Sequence, residues 1–296
     1  IWLRPEVVQA SELLQHKQPY LNLPFFLGRA LFYFVVWALL AWQLNRWARQ
    51  QDRTLDPTLV NRLRRLSGPG LAIYGLTITF ASIDWIMSLE PEWFSSIFGV
   101  LVAAGEALSA LSCAIVLLTW LAAYPPLSTV VTRQHFGDLG NLLLTAVLFW
   151  AYIAFAQFLI IWSGNLPEEV AWYLHRLDHG WQLWALLLLL FGFAVPFAAL
   201  LSGRLKRQAR LLAGVAVLLL VTQWAHLHWM VVPVVQPGAI TLHWLDLATL
   251  VALGGLWIAG FLWQLRRETI LPPYDWLQAQ AHAQHPATPI EGVLDA

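Results

Sequence analysis

Two carboxylates, Asp84 and Glu106, stand inside apolar stretches of this chain. A charged side chain at the centre of a membrane helix costs about 2.5 to 3.5 kcal/mol on insertion scales, so each needs an internal partner or a task. A carboxyl held away from water has its pKa raised toward neutrality, which suits it to relay protons or to accept them from a lipid-soluble donor. Asp84 lies about 8 Å from the outer end of its apolar run at 1.5 Å per residue, and Thr77 and Ser88 share its helix face. Glu106 lies roughly 16 Å into the next run, close to a bilayer midplane. The pair predicts an outward ladder of proton-exchanging groups, joined at the same end of other runs by Gln157, His226, His228, His243 and Asp246. The competing reading is a buried acid satisfied by a neighbouring Arg, Tyr or Trp and kept for packing specificity.

The histidines admit several uses. His226 and His228, at i and i+2, point to different faces of one helix and cannot serve a single site. A b-type haem held between either of them and His243 is conceivable. The plainer role is a helix cap, a carbonyl partner or a contact with interfacial water, and a quinol-facing or proton-exit role is the third. The turn Glu90-Pro91-Glu92-Trp93 and the loop Asn165-Leu166-Pro167-Glu168-Glu169 are acidic and aromatic. They read either as solvated connections or as a docking rim, through Glu90, Glu92, Trp93, Asn165, Glu168 and Glu169, for a periplasmic partner.

The elements that position these groups must be membrane helices. Hydrophobic residues make up 59% of the 296-residue chain and charged ones only 11%, against about a quarter charged in soluble domains. Apolar runs long enough to cross roughly 30 Å of hydrocarbon occur at 25–47, 71–89, 95–121, 139–162, 181–201, 211–232 and 242–265. There is no barrel-type alternation. Many of the eighteen Trp, among them Trp47, Trp93, Trp162, Trp181, Trp229 and Trp244, fall near run ends, as in an interfacial aromatic belt. Arg46, Arg49, Arg53, Arg62, Arg64, Arg65, Arg133, Arg204, Lys206, Arg207, Arg210, Arg266 and Arg267 occupy one set of connections and the tail, and they are thirteen of the seventeen Lys and Arg. Arg4, Lys17, Arg29 and Arg176 occupy the other. By the positive-inside rule the segment starts outside and ends in the cytoplasm. The chain begins with Ile1 rather than Met, so an odd number of earlier spans is expected upstream.

Between the runs, residues 5 to 15 predict a surface helix, and the stretch from Gln18 to Pro24 reads as extended. Asp56, Pro57, Leu59, Leu63 and Leu66 predict a separate interfacial basic helix anchored on anionic lipid. Gly105, Ser109 and Cys113 form a small-residue stripe for close helix packing. Pro196 should kink the fifth span. Residues 282–296 have a disordered composition. The single cysteine, Cys113, excludes a disulfide, a c-type haem attachment and a thiolate-ligated cluster, and there is no Walker loop or dinucleotide glycine fingerprint.

The run from Asp84 to Gly99, DWIMSLEPEWFSSIFG, resembles the signature of one membrane subunit of alternative complex III, a quinol:cytochrome c (or other acceptor) oxidoreductase. That subunit is the second of two NrfD-like, polysulfide-reductase-type members. Pro19-Tyr20-Leu21-Asn22, the run Phe136 to Leu143 and the run Gln157 to Glu169 are similar to it too, and the likeness extends over about residues 19 to 275. It implies a ten-span subunit of two four-helix bundles plus flanking helices, with three N-terminal spans outside this sequence. The implied partners are the sister NrfD-like subunit, an iron–sulfur subunit, multihaem cytochrome c subunits and small membrane subunits. Haem c and iron–sulfur clusters would reside in those partners, and the quinol site usually in the sister. Many relatives carry His where this chain has Glu92, so an imidazole role there does not transfer.

The expectation is therefore an all-α, polytopic transmembrane helical bundle of NrfD-like type. It has an outer-surface segment at 1–24, a membrane domain at 25–267 and a cytoplasmic, partly disordered tail at 268–296. Its expected place is the bacterial inner membrane, with its partners lipid and protein and no nucleic acid. It should bind no cofactor directly, with quinol the one ligand it could meet. The complex would be the enzyme, and this subunit would contribute proton conduction, coupling to quinol oxidation, and assembly. A purely structural scaffold is the alternative. A stand-alone secondary transporter would require inverted repeats and broken midplane helices, and neither is evident.

Overall fold

The structure, a computed structural model, describes residues 2–54, 56–236, 238, 240 and 243–266. The expected tail at 268–296 lies outside the described residues. Among them there is no strand. The helices are α1 (Pro5–Ala10), α2 (Glu12–Lys17), α3 (Leu23–Thr54), α4 (Pro57–Trp85), α5 (Phe98–Leu121), α6 (Leu127–Val130), α7 (Arg133–Gly164), α8 (Pro167–His175), α9 (Trp181–Leu189), α10 (Val195–Leu201), α11 (Gly203–Lys206), α12 (Ala209–Val235) and α13 (Trp244–Leu265). Seven segments are long and apolar enough to cross a bilayer: α3, α4 with its short extension to Leu89, α5, α7, the α9–α10 run, α12 and α13. The chain is an all-α, multi-pass membrane protein.

The helices outrun the apolar windows because hydrogen bonding does not stop at the edge of the hydrocarbon. α7 starts at Arg133, where Thr132 and His135 close a reciprocal capping box, rather than at Leu139. The basic segment after Asp56 is not a separate interfacial helix. Asp56 accepts from the Thr58 amide and hydroxyl at 2.8 Å each, and α4 then runs unbroken through Pro69 to Trp85. The expected surface helix at 5–15 is two helices divided at Ser11, whose hydroxyl caps α2. The expected loop at 165–169 is a cap followed by a helix: Asn165 takes the left-handed conformation at the end of α7, and Pro167 opens α8. Ahead of Pro196, a π-helical turn at Leu190–Ala194 precedes α10 and accommodates the ring.

Two compact units divide the chain. One comprises residues 39–70 and 242–296. In it Arg46 covers the Trp42 ring at 5.2 Å, Leu40 meets Gly70, and no residue of α13 is buried. The other comprises residues 1–38 and 71–241 and holds the main core, in which α12 lies on α5, α5 on α7 and α10 on α7. Small residues set these approaches. Gly105 faces the Gln223 side chain and Trp150, Gly192 of the π turn faces Trp150, and Gly137 and Gly140 face the stems of Arg207 and Lys206. Lys206 also donates to Asn141 Oδ1 at 2.6 Å.

At Gly99 the neighbour is the β-branched Thr79, side chain and backbone alike: a Cβ there would stand 2.6 Å from Thr79 Cγ2 and 2.9 Å from Thr79 Cα. Gly99→Ala is expected to lower stability by about 1 to 3 kcal/mol through overpacking. Thermal unfolding in detergent checks this, and an unchanged melting temperature would count against the crossing as described.

Candidate functional site

Three polar clusters occupy the larger unit. The first surrounds Asp84, in the last turn of α4 and 1% exposed. Arg29, two turns into α3, forks onto it, with Nε to Oδ2 at 2.8 Å and Nη2 to Oδ1 at 2.9 Å. The Tyr33 hydroxyl donates to Oδ2 at 2.8 Å, and Arg29 Nη1 donates to the Tyr20 carbonyl at 3.0 Å. The guanidinium also lies over the rings of Tyr20 and Phe25, at 3.8 and 4.3 Å. Burial, reinforced by the Asp84 carboxylate, pushes the Tyr20 hydroxyl up to about 12. Ser88 donates to the Asp84 backbone carbonyl, and Trp37 donates to Thr77. Asp84 is thus fully engaged by a cation and a phenol, the arrangement required of a packing acid.

The second cluster surrounds Arg176, at the end of α8 and 1% exposed. Its Nη2 meets Glu90 Oε2 at 2.8 Å and the Met230 carbonyl at 2.6 Å, its Nη1 donates to the Trp172 carbonyl at 2.9 Å, and its plane covers the Trp172 ring at 3.9 Å. Burial pulls this guanidinium below its usual pKa, while Glu90 opposes that shift. His175 Nδ1 approaches Glu90 Oε1 at 3.2 Å, and Lys17 donates to the Pro91 carbonyl.

These contacts revise the expected docking rim. Trp93 is buried, stacked on Trp172 at 4.9 Å, and Glu90 is held by Arg176. Glu92, Asn165 and Glu168 are exposed and Glu169 half-buried. Trp181 and Trp229, expected in an interfacial belt, are buried as well, whereas Trp162 and Trp244 are exposed. Trp229 donates to the Arg176 carbonyl at 3.3 Å, and Trp181 donates to the Gly238 carbonyl at 3.1 Å.

The third cluster is a cleft of about 400 Å³ between α4, α5 and α12. Ile78, Trp85, Ile86, Leu101, Val102, Leu227 and Met230 make its walls mostly apolar, and Glu106, His226, Gln223, Ser82 and Ser109 supply the polar groups. Because α5 begins at Phe98 rather than Ser95, Glu106 lies about 12 Å along the helix, shallower than the sequence suggests. Its Oε2 accepts from the Tyr74 hydroxyl at 2.6 Å, and its side chain is exposed on the surface of the unit. Unlike Asp84, it faces no cation among the described residues. His226 is 8% exposed, edge-on to Trp150 and stacked with Trp229. The chain matches no protein-family model and no curated protein.

Of the seven proton-path candidates, only Glu106 and His226 share this cleft. Gln157 lies elsewhere, buried in the wall of a hollow of about 150 Å³ beside Ser95, whose hydroxyl it accepts at 3.3 Å. Burial raises the nearby Tyr173 hydroxyl to about 12. His228 points away from His226, into a Trp181, Trp184 and Trp224 cage. His243 and Asp246, in the smaller unit, close a capping box on α13: the His243 amide donates to Asp246 Oδ2 at 2.9 Å, and His243 Nδ1 accepts from the Leu245 amide at 3.3 Å. No group of three or more His, Cys, Asp or Glu suited to a metal ion occurs among the described residues. Tyr74 and Gln223 were not anticipated. A lone Gln one turn before His226 in an otherwise apolar helix was the available signal for the second.

Proposed function

We propose that this chain is an integral membrane subunit of a bacterial quinol:acceptor oxidoreductase of alternative complex III type, with Glu106 as its proton-exchanging group. The observation that carries the reading is the contrast between the two intramembrane acids. Asp84 is neutralised by Arg29, whereas Glu106 faces a membrane-depth cleft with a single phenol, Tyr74, as its hydrogen-bond donor among the described residues. A carboxyl bonded only by a neutral donor can take up and release a proton without breaking an ion pair. The resemblance carried by 84–99, 136–143 and 157–169 supplies the assembly: a sister NrfD-like subunit, iron–sulfur and multihaem cytochrome c subunits, and small membrane subunits. The clusters of Lys and Arg favour the inner membrane with a cytoplasmic C-terminus.

In liposomes containing the assembled complex, Glu106→Gln is expected to reduce proton translocation per electron at least severalfold while leaving subunit composition unchanged. Unchanged coupling in a normally assembled variant removes Glu106 from the path. The second reading, a scaffold, is favoured by the buried ion pairs of Asp84 with Arg29 and of Arg176 with Glu90. It expects Glu106→Gln to impair assembly rather than coupling.

A further inference from the structure

We infer that the end of the larger unit where α7 begins and α11 leads into α12 binds the phosphate of an anionic membrane phospholipid, held by Arg133, Lys206 and Arg207. The site shares no residue with the Glu106 cleft.

The run Phe136 to Leu143 supplies no group to the three polar clusters, and its glycines have a different task. A Cβ on Gly140 would stand 2.6 Å from Lys206 Cγ and 2.8 Å from Lys206 Cβ. One on Gly137 would stand 3.4 Å from Arg207 Cγ and 3.9 Å from Arg207 Nε. The two cationic stems therefore lie in a trough along α7, and at Gly140 any larger residue would fill it. Lys206 Nζ is fixed there by Asn141 Oδ1 at 2.6 Å, a neutral acceptor that leaves the ammonium charge uncompensated. Arg133, Gly137 and Gly140, at i, i+4 and i+7, share one face of α7. Arg133 thus stands about 6 Å along the axis from the level at which Arg207 crosses, and the three cations form a column.

No carboxylate offsets that column. Residues 122–138 and 202–210 carry five Lys and Arg, these three with Arg204 and Arg210, against one acid, Asp138. Asp138 lies on another face of α7 and accepts from Gln134 at 3.0 Å, and His135 is spent on the α7 cap. None of the five cations forms an ion pair among the described residues. Holding like charges side by side is unfavourable until an anion joins them. The position selects a lipid as the source of that anion. α7 has 32 residues, about 48 Å of helix, more than the roughly 40 to 45 Å of a bilayer with its headgroups, so its first turns stand in the headgroup layer. A guanidinium fork matches two phosphate oxygens. Leu201 and Leu211, exposed on either side of the 202–210 segment, offer acyl chains an apolar wall that a soluble anion would not use. By the charge bias this is the cytoplasmic end, where anionic lipid concentrates.

The test uses the full chain as purified from its membrane, with any subunits that accompany it, and phosphatidylglycerol carrying a photoreactive headgroup, with labelled peptides mapped by mass spectrometry. Labelling is expected within 133–142 and 202–211, displaced by excess plain phosphatidylglycerol but not by phosphatidylcholine. Arg133→Gln/Arg207→Gln should reduce it roughly tenfold, the size expected of two cations at an anionic surface. Arg64→Gln/Arg65→Gln, which removes the same charge from exposed positions of the smaller unit, should label these peptides as the wild type does. Gly140→Ala keeps every charge but displaces the Lys206 stem, and should lower labelling severalfold in protein whose thermal unfolding matches the wild type. Equal loss in the Arg64 and Arg65 control would reduce the effect to net charge and overturn the site, as would displacement by phosphatidylcholine. Undiminished labelling in Arg133→Gln/Arg207→Gln or in Gly140→Ala overturns it too. Inorganic phosphate that displaces the label as well as the lipid does would make this a site for a soluble anion, and polyglutamate doing so would make it a surface for an acidic protein. Either result defeats the lipid assignment.

Discussion

Replacing Arg29 by Met is expected to destabilise the chain by about 3 to 5 kcal/mol, the usual result of stranding one member of a buried ion pair. Asp84 is 1% exposed and takes three of its hydrogen bonds from Arg29 and Tyr33. Without the guanidinium, the carboxylate has only the phenol and must either protonate or draw water into the helix contact. The reverse change, Asp84→Asn, should be milder. Arg29 lies about 9 Å into α3, its rim of Tyr20 and Phe25 remains, and a long cationic side chain can lift its head toward the interface. The double variant Arg29→Met/Asp84→Asn should recover most of the loss, since no buried charge is left without a partner. Thermal unfolding in detergent, with the fraction of chain incorporated into the complex, reads all three. An Arg29→Met protein that melts with the wild type would show that Asp84 is not held as described.

That pair also shows where a sequence reading stops. Asp84 was legible as an acid that needed a reason, because the energetic rule acts on a single position in an apolar run. Its partner was not, because Arg29 is 55 positions away and looks like any cation at the start of a span. Arg176 escaped notice in the same way. The number of spans was legible because bilayer thickness fixes a minimum apolar length. Helix ends were less so: they depend on caps such as Thr132 with His135, and on whether a proline like Pro69 is tolerated within a helix. The start of α8 was in principle readable, with Pro167 followed by Glu168 and Glu169 in the first turn. Tryptophans near span ends suit either a lipid interface or a buried layer. Trp93, Trp172 and Trp229 form the latter because Trp172 of α8 packs against Trp93 ahead of α5 and Trp229 of α12, a tertiary event that periodicity does not announce. Glu106 and His226 were both singled out, but their shared cleft depends on the pairing of α5 with α12, which no local pattern encodes.

Arg176→Met is expected to be as damaging as Arg29→Met, about 3 to 5 kcal/mol, yet to respond differently to removal of its partner. Arg176 serves three acceptors: Glu90, the Trp172 carbonyl and the Met230 carbonyl. Glu90→Gln alone keeps an oxygen that can accept from Nη2, so its loss should be limited to the charge-assisted share of one bond, about 1.5 to 3 kcal/mol. In the double variant Arg176→Met/Glu90→Gln the stranded charge is gone, but the two carbonyls still lack their donor. Recovery should therefore be small, in contrast to the Arg29 and Asp84 pair. The damage should also be regional. Arg176 ties α8 to α12 and to the 87–93 turn, while the α5–α7 contact rests on apolar packing through Leu108, Leu143 and Val147. Hydrogen exchange should accordingly rise in Pro167–His175 and in the last turns of α12 before it rises in α5. A double variant as stable as wild type would show that the carbonyl contacts contribute nothing, and uniform exchange through the bundle would show that α8 is not an independently released cover.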